Sequence, residues 1–457
     1  MDKMQVYNRL PIWAQNLACY MEGRKIRKTR FGSMFWQKLK EYEDRDEWSY
    51  EQKCDFRNKR LQKMVKYCYK NVPYYHDLFN NGGINPDRIR SLEDLKLLPL
   101  LTKETVNKQP DKFLSKVVPR EKLITGHTSG TTGAGFVFQT TQEAICEQWA
   151  VWWRYRRKLG ISFGTLSANF GTRFIVPATQ NKPPFWRYNT PCSQVYFSAF
   201  HEKPEFLKYY IEEIEKRKIT WLHGYPSLLT ELANEVIREN NSTLKKQIKF
   251  VTIGAENLLD YQSAIMERAF GVHVFQHYGL SEGVSNFSEN KDKIIVVDED
   301  FAVTEFLEKE GFSTIVGTNL TNYAMPLLRW ETHDTAKVKE IKELGRIVYS
   351  LDGRIEDYIT LPSGKKIGKL DHVFKDAVHL SEVQIRQYSD YSIKVFYVAR
   401  DKQASEDIRR ARLLFEQTFG EPVKLIFEEI KEVHKAKSGK LRFIVSDIGK
   451  ISDDIKH

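Results

Sequence analysis

Ile248-Lys249-Phe250-Val251-Thr252-Ile253-Gly254-Ala255-Glu256 is a short apolar run that ends in a glycine and a carboxylate. Its length, its β-branched residues and the turn residues that bound it make Ile248 to Ile253 a strand. The chain alternates on both sides of it. Phe206, Leu207, Tyr210, Ile211 and Ile214 share one helix face, and Ile219 to His223 reads as a strand. A helix capped by Ser227 then carries Leu228, Leu229, Leu232, Val236 and Ile237. After the quoted run come a helix, Leu259 to Phe270, and a strand, Val272 to Gln276. Such alternation implies parallel strands joined by crossover helices, an α/β fold. Ligands of these sheets bind beyond the carboxyl ends of the strands. Two such ends carry unusual residues, Gly254-Ala255-Glu256 and Tyr278-Gly279-Leu280-Ser281-Glu282-Gly283.

Upstream lies a loop of small and hydroxylic residues, Thr128-Ser129-Gly130-Thr131-Thr132-Gly133-Ala134-Gly135, between two short apolar runs. Its glycines let the backbone approach a ligand, and its N–H groups can form an anion-binding concavity. The hydroxyls add donors, so the loop suits phosphate oxygens. It is no P-loop of the GxxxxGK[ST] kind, because no lysine follows Gly133 and the next element reads as strand. The plain alternative is an ordinary hairpin turn.

The 457 residues carry 71 Lys and Arg against 60 Asp and Glu, a net charge of +11. That balance suits anionic ligands. The basic residues are mixed with acidic ones, as in Glu212-Glu213 before Lys216-Arg217-Lys218, which argues for solvated surface and against nucleic acid. The cysteines, Cys19, Cys54, Cys68, Cys146 and Cys192, form no CxxC pair and are odd in number, the pattern of reduced thiols in a cytoplasmic protein. No apolar run approaches the ~20 residues of a membrane span, and Leu10 to Cys19, broken by Gln15 and Asn16, is no signal-peptide core.

Met1 to about Tyr42 is basic and aromatic, and reads as helix packed on its own domain, with a membrane-surface segment as the alternative. Glu51 to Lys70 is a helix with Leu61, Met64, Val65, Cys68 and Tyr69 toward the core, stopped before Pro73. Ser91 and Asp94 form a capping-box pattern. Gln142 to Leu159 is a helix whose Trp149, Trp152, Trp153 and Tyr155 read as core rather than as a stacking platform. Past Ile294 the chain is strand-rich. Asp352-Gly353-Arg354 reads as a polar turn at a boundary, followed by a small α+β unit with strands at Ile393 to Val398 and Lys424 to Phe427 around a helix from Glu406 to Phe419.

Six polar motifs fall at loops or strand ends in one order: the hydroxylic loop, Gly254-Ala255-Glu256, Tyr278 to Glu282, Met325 to Asp334, Gly353 to Asp357, and Ser438-Gly439-Lys440. In order and spacing they resemble the adenylate-forming superfamily of acyl-CoA synthetases and, within it, the phenylacetate–coenzyme A ligase family. Asn71-Val72-Pro73-Tyr74-Tyr75 and Leu98-Pro99-Leu100-Leu101-Thr102-Lys103 are similar to that family's N-terminal region. Leu10-Pro11-Ile12-Trp13 and Arg30-Phe31-Gly32 look closer to a branch associated with capsular polysaccharide biosynthesis.

The resemblance implies a large N-terminal domain, 1–352, with mixed and parallel sheets flanked by helices, and a small mobile α+β domain, 353–457, that carries the catalytic lysine. It implies that Thr128, Ser129, Gly130, Thr131, Thr132 and Gly133 hold the β- and γ-phosphates of ATP. Gly254, Ala255 and Glu256 would border the adenine, Tyr278 would lie against its ring, and Gly279 would belong to the same nucleotide site. Ser281 would bond the α-phosphate, Glu282 would bind Mg²⁺, Asp334 the ribose hydroxyls, and Arg354 the ribose or phosphates. Glu356 or Asp357 would be the hinge. Lys440 would stabilise the charge built when a carboxylate attacks the α-phosphorus, with Lys435 and Lys437 as nearby alternatives. The acyl pocket would border Tyr225, Ala255 and His277.

The implied activity is ATP-dependent adenylation of a small-molecule carboxylic acid, then acyl transfer to coenzyme A, with an amine or sugar hydroxyl as alternative acceptors. Partners on this reading are the acid and, as options, a second copy of the chain or polysaccharide-assembly components; nucleic acid and membrane insertion are not expected. Two departures stand out. Ala134-Gly135 follow where the family carries Lys or Pro, and His333 replaces a usual glycine before Asp334. Rival readings are an adenylyltransferase that stops at an AMP-linked product and a non-enzymatic scaffold.

Overall fold

In the computed structural model, which describes residues 3–128, 136–171, 175–177, 179–201, 203–309, 312–341, 344–354, 359–364, 366–367, 370–374, 377, 379–419, 421–433 and 441–448, the chain begins with six helices: α1 (Lys3–Arg9), α2 (Ile12–Arg30), α3 (Ser33–Asp44), α4 (Tyr50–Asn71), α5 (Pro73–Asn81) and α6 (Lys103–Lys108). Local chemistry sets their ends. Ser49 and Gln52 form a reciprocal capping box at the start of α4. Val72, restricted by the proline after it, ends α4, and Pro73 opens α5 at its first position. Asp94 accepts hydrogen bonds from the Ser91 backbone N–H and hydroxyl, but the element that follows is a short 3₁₀ turn. In α2, Gln15, Gly23 and Ile26 are buried. Its opposite face leaves Trp13 70 % exposed, with Leu17 and Met21 beside it.

A hairpin, β1 (Ile124–His127) and β2 (Val137–Thr140), precedes α7 (Gln142–Lys158). The alternating region follows: β3 (Ser167–Phe170), β4 (Trp186–Asn189), β5 (Gln194–Phe197), α8 (Pro204–Lys216), β6 (Trp221–Gly224), α9 (Pro226–Arg238), α10 (Ser242–Gln247), β7 (Phe250–Ile253), α11 (Asp260–Phe270) and β8 (Val274–Phe275). These strands form a sheet of order β4-β5-β3-β6-β7-β8, parallel except for β4. The apolar faces of α8, α9 and α11 close over it, with Leu229, Leu232, Met266 and Phe270 buried. Ser227 does not cap α9: Pro226 starts the helix after Tyr225, which leaves the Ser227 hydroxyl free to donate to Glu256 Oε2 at 2.8 Å.

The second sheet is antiparallel. Its strands are β9 (His277–Gly279), β10 (Asn286–Glu289), β11 (Ile295–Val297), β12 (Val303–Lys309), β13 (Phe312–Thr318), β14 (Trp330–Ile341) and β15 (Gly345–Arg354), in the order β12-β13-β14-β15-β11-β10-β9. Asp352-Gly353-Arg354 is therefore strand, not turn, and Arg354 pairs in register with Asp334. The chain continues with β16 (Ile359–Thr360), β17 (Lys366–Ile367), β18 (Leu380–Gln387), β19 (Ile393–Ala399), α12 (Ala404–Phe419), β20 (Leu425–Glu429) and β21 (Ile444–Ser446). Ile385, Ile393, Ala411 and Phe415 form a core of their own between α12 and the sheet β20-β19-β18-β21. The fold is mixed α/β, with sheets flanked by helices.

Candidate active site

The carboxyl ends of β6 and β7 and the first turn after β9 converge on one cavity of about 400 Å³. Tyr225, Gly254, Ala255, His277, Gly279 and Ser281 all line it. Gly254 donates its N–H to Gly224 O at 3.2 Å, and a side chain added at Gly254 would meet open space. Ala255 turns the chain with φ +67°, in the left-handed region that costs an L-residue about 1 kcal/mol. Gly279 is required sterically, because a Cβ there would lie 2.8 Å from His277 Cε1 and 2.9 Å from Asn286 Oδ1.

Glu256 joins three segments. Its Oε2 accepts from the backbone N–H and hydroxyl of Ser227, at 3.3 and 2.8 Å. Its Oε1 accepts the Leu441 N–H at 3.2 Å. Lys440, the residue before Leu441, lies outside the described residues, as do Ser129, Gly130, Thr131, Thr132 and Gly133. At the base of that loop Thr128 donates its N–H to Phe136 O, and its hydroxyl oxygen accepts the Phe136 N–H. Thr128 thus closes the hairpin.

Tyr278 stacks on Phe287, with centroids 4.7 Å apart, and its hydroxyl donates to Asp334 Oδ2 at 2.8 Å. Burial, then the Asp334 carboxylate, pushes the phenol well above its usual pKa. Asp334 follows His333, whose φ is +62°. The conformation that makes glycine usual at this position is present here with a histidine in it. Arg354 lies opposite Asp334 across β14 and β15; its side chain lies outside the described residues.

Ser281 is exposed in the turn after β9 and Glu282 is buried. Sequence reasoning missed what holds this turn. Asn319 Nδ2 donates to Glu282 O at 2.7 Å and Gly283 O at 3.0 Å, while its Oδ1 accepts the Thr321 and Asn322 N–H groups. From the other side, Gln148 Nε2 of α7 donates to Leu280 O at 2.6 Å.

The cavity wall is held by a second network that sequence reasoning missed. His277 Nε2 and Trp152 Nε1 both meet Asn286 Oδ1, at 3.0 and 2.9 Å. Asn286 Nδ2 donates to Asp298, and Asp298 and Asp300 hold the buried Arg154. The shared oxygen is an acceptor, so His277 carries its proton on Nε2. Burial, and next the charge of Arg156, lower the His277 and His223 pKa values to about 3. Both imidazoles are neutral at pH 7. His223 places Nδ1 2.9 Å from Thr252 Oγ1. Trp149, Trp152, Trp153 and Tyr155 are core residues that also line the cavity. Arg156 stands among them, buried against the Trp149, Trp153 and Trp221 rings. An arginine on a helix defaults to solvent in a sequence reading, so only its spacing among tryptophans could have flagged it.

No family model matches the chain. Over almost its whole length, however, it is similar to Protein CapK of Staphylococcus aureus, 26 % identical, with 97 % of this chain and 99 % of that protein aligned. It is 27 % identical to the phenylacetate-coenzyme A ligase of Aromatoleum evansii over 66 % of this chain and 70 % of that enzyme. In sequence and in fold the chain is similar to adenylate-forming ligases. A solved 2-hydroxyisobutyryl-CoA ligase in the postadenylation state, in complex with R3-HIB-AMP, shares the fold at a TM-score of 0.66 and 16 % identity, covering 86 % of this chain and 89 % of that one. Its similarity runs to phenylacetate–coenzyme A ligases and, over a longer span, to CapK, in line with the resemblance of Leu10-Pro11-Ile12-Trp13 and Arg30-Phe31-Gly32. Among the described residues no helix is long and apolar enough to cross a membrane.

Proposed function

We propose that the protein adenylates a carboxylic acid with ATP and passes the acyl group to coenzyme A. The observation that carries this reading is the convergence of Tyr225, Gly254–Ala255, His277 and Ser281 on one cavity at the carboxyl ends of parallel strands. A carboxylate oxygen of the acid attacks the α-phosphorus of ATP, the bond to the bridging oxygen of pyrophosphate breaks, and an acyl-adenylate forms. The acceptor thiol then displaces AMP. An amine or a sugar hydroxyl in polysaccharide assembly is the alternative acceptor.

The roles are assigned as follows. Thr128 through Gly133 cradle the β- and γ-phosphates. Tyr278 and the Gly254–Glu256 turn border the adenine, and Asp334 with Arg354 takes the ribose. Ser281 bonds the α-phosphate. The donor set fits Mg²⁺, which takes one or two carboxylates together with substrate phosphates. Glu282 would hold it, and the bound ion supplies positive charge at the phosphate oxygens. Among the described residues no cluster of three metal-ligating side chains suggests a different metal centre. Lys440 supports the charge that builds at the α-phosphorus. The Leu441–Glu256 hydrogen bond supports this assignment, since it brings the residue after Lys440 to the cavity's edge. Residues 1–352, with Gly353 and Arg354 completing strand β15, form the large domain and the rest of 353–457 the mobile one, turning near Glu356 and Asp357.

The test is ATP–pyrophosphate exchange over pooled carboxylic acids with Mg²⁺, for the wild type and Lys440→Ala. Acid-dependent exchange that the variant loses supports the reading. ATP binding without exchange in any pool sinks it.

A further inference from the structure

The cavity lining holds a buried charge that no carboxylate pairs among the described residues. Arg156 is only 9 % exposed. Its guanidinium lies 5.6, 5.2 and 5.4 Å from the ring centroids of Trp149, Trp153 and Trp221. Among the described residues no carboxylate pairs with it and no acceptor bonds it. Two neighbours share its condition. Trp153 Nε1 and Tyr155 Oη are buried with no hydrogen-bond partner among the described residues. All three residues line the cavity, but Trp153 Nε1 and Tyr155 Oη are covered by protein, so the guanidinium is the group among them that a ligand can meet.

On this stretch of α7 the Arg156 guanidinium is thus buried without an acceptor among the described residues. Aromatic faces offset part of the cost of burying a guanidinium. They supply no acceptor for its N–H groups, and a buried cation is retained at such a cost when something completes it. Unsatisfied buried polar groups in a native site call for a partner.

The position of the guanidinium says which part of a ligand it meets. It lies over Trp221, the first residue of β6, which pairs in register with Phe250 of β7. The strand ends, Gly224 and Ile253, are three residues beyond Trp221 and Phe250, roughly 10 Å along the strands at their ordinary rise. Gly254 and Ala255 follow at that far end, where an adenylated carboxylate would sit.

We infer that the cavity takes an acid bearing a second anionic group remote from the reacting carboxylate, and that Arg156 binds that group. The second anion is a carboxylate, phosphate or sulfate, all of which accept paired hydrogen bonds from a guanidinium. This deepens the adenylation reading and rests on it. Arg156 is on this view a specificity residue, remote from the reacting atoms.

The test compares acids matched except at the far end: hexanoate with adipate, and phenylacetate with 4-carboxyphenylacetate and 4-phosphonooxyphenylacetate. Wild type, Arg156→Met and Arg156→Lys are measured by ATP–pyrophosphate exchange and by calorimetric binding of the same acids, with ATP binding as the check on folding. The wild type is expected to prefer the member with two anions. Arg156→Met should lower kcat/KM for that member about 100-fold, as loss of a buried charge partner does, and leave the singly charged acid as good or better. Arg156→Lys should retain part of the preference. Equal loss for both members would place Arg156 at the reacting carboxylate and overturn the inference. A wild-type preference for singly charged acids would overturn it too, while leaving adenylation standing. If no acid supports exchange, the adenylation reading fails. Calorimetry then decides alone: binding of the doubly charged acids by wild type and not by Arg156→Met upholds the pocket assignment, and its absence overturns it.

Discussion

The Leu441 N–H donates to the Glu256 carboxylate at 3.2 Å, and the other oxygen of that carboxylate accepts two bonds from Ser227. One side chain at the end of β7 therefore holds both the start of α9 and the segment of the small C-terminal unit next to Lys440. Glu256→Ala should slow acid-dependent exchange about 10- to 100-fold, since each bond to a carboxylate contributes about 1.5–3 kcal/mol. Hydrogen exchange at the peptide containing Leu441 should speed up. Unchanged protection there would show that Glu256 does not hold this segment.

His223 and His277 are kept neutral by burial and by the nearby Arg156, with pKa values near 3. In the unfolded chain they titrate at about 6.5. Between those values the unfolded chain binds more protons, so the stabilisation is complete above about pH 6.5 and is lost as pH falls toward 3. His277→Gln keeps a donor to Asn286 and removes the titration. The loss of unfolding free energy between about pH 7.5 and pH 5 should shrink by about 1–2 kcal/mol in that variant. An identical loss in both proteins would contradict the assignment.

His333 occupies a left-handed conformation, φ +62°. Glycine adopts it freely but loses more entropy on folding, and the two effects nearly cancel. His333→Gly should therefore hold or raise Tm slightly. A β-branched residue fits that region worst, so His333→Val should cost about 1–2 kcal/mol in denaturant unfolding. A stable valine variant would show that the turn relaxes.

Asn319 satisfies two carbonyls and two N–H groups in the turns around Glu282. Asn319→Ala strands all four, and should lower stability by about 2–4 kcal/mol. Asn319→Asp keeps the acceptor but sets a buried carboxylate oxygen against the Glu282 and Gly283 carbonyls, and should cost at least as much. A well-tolerated Asp variant would contradict the donor role of Nδ2.

The parts legible in the sequence are those where one residue type has one physical use. The α4 helix with its stop at Pro73, the apolar strands β6 and β7 and the aromatic helix α7 all emerge from periodicity and turn chemistry. Strands β12, β14 and β18 did not, because half-solvated antiparallel strands mix charge with apolar residues: Thr335-Ala336-Lys337-Val338-Lys339-Glu340 reads as surface. The motifs bordering the cavity were readable as strand ends. Their supports were not. Asn319, Asn286 and the Asp298–Arg154 pair act over long sequence separations, and nothing local marks an asparagine as a clamp. Arg156 was hidden by the rule that helical arginines face water.

The most direct measurement of the central claim is isotope transfer. An acid that supports exchange is supplied with ¹⁸O in its carboxylate, and a single turnover is analysed by mass spectrometry. Attack of the carboxylate on the α-phosphorus should leave one labelled oxygen in AMP and none in pyrophosphate. Unlabelled AMP, or label in a released phosphate, would contradict adenylation at this site.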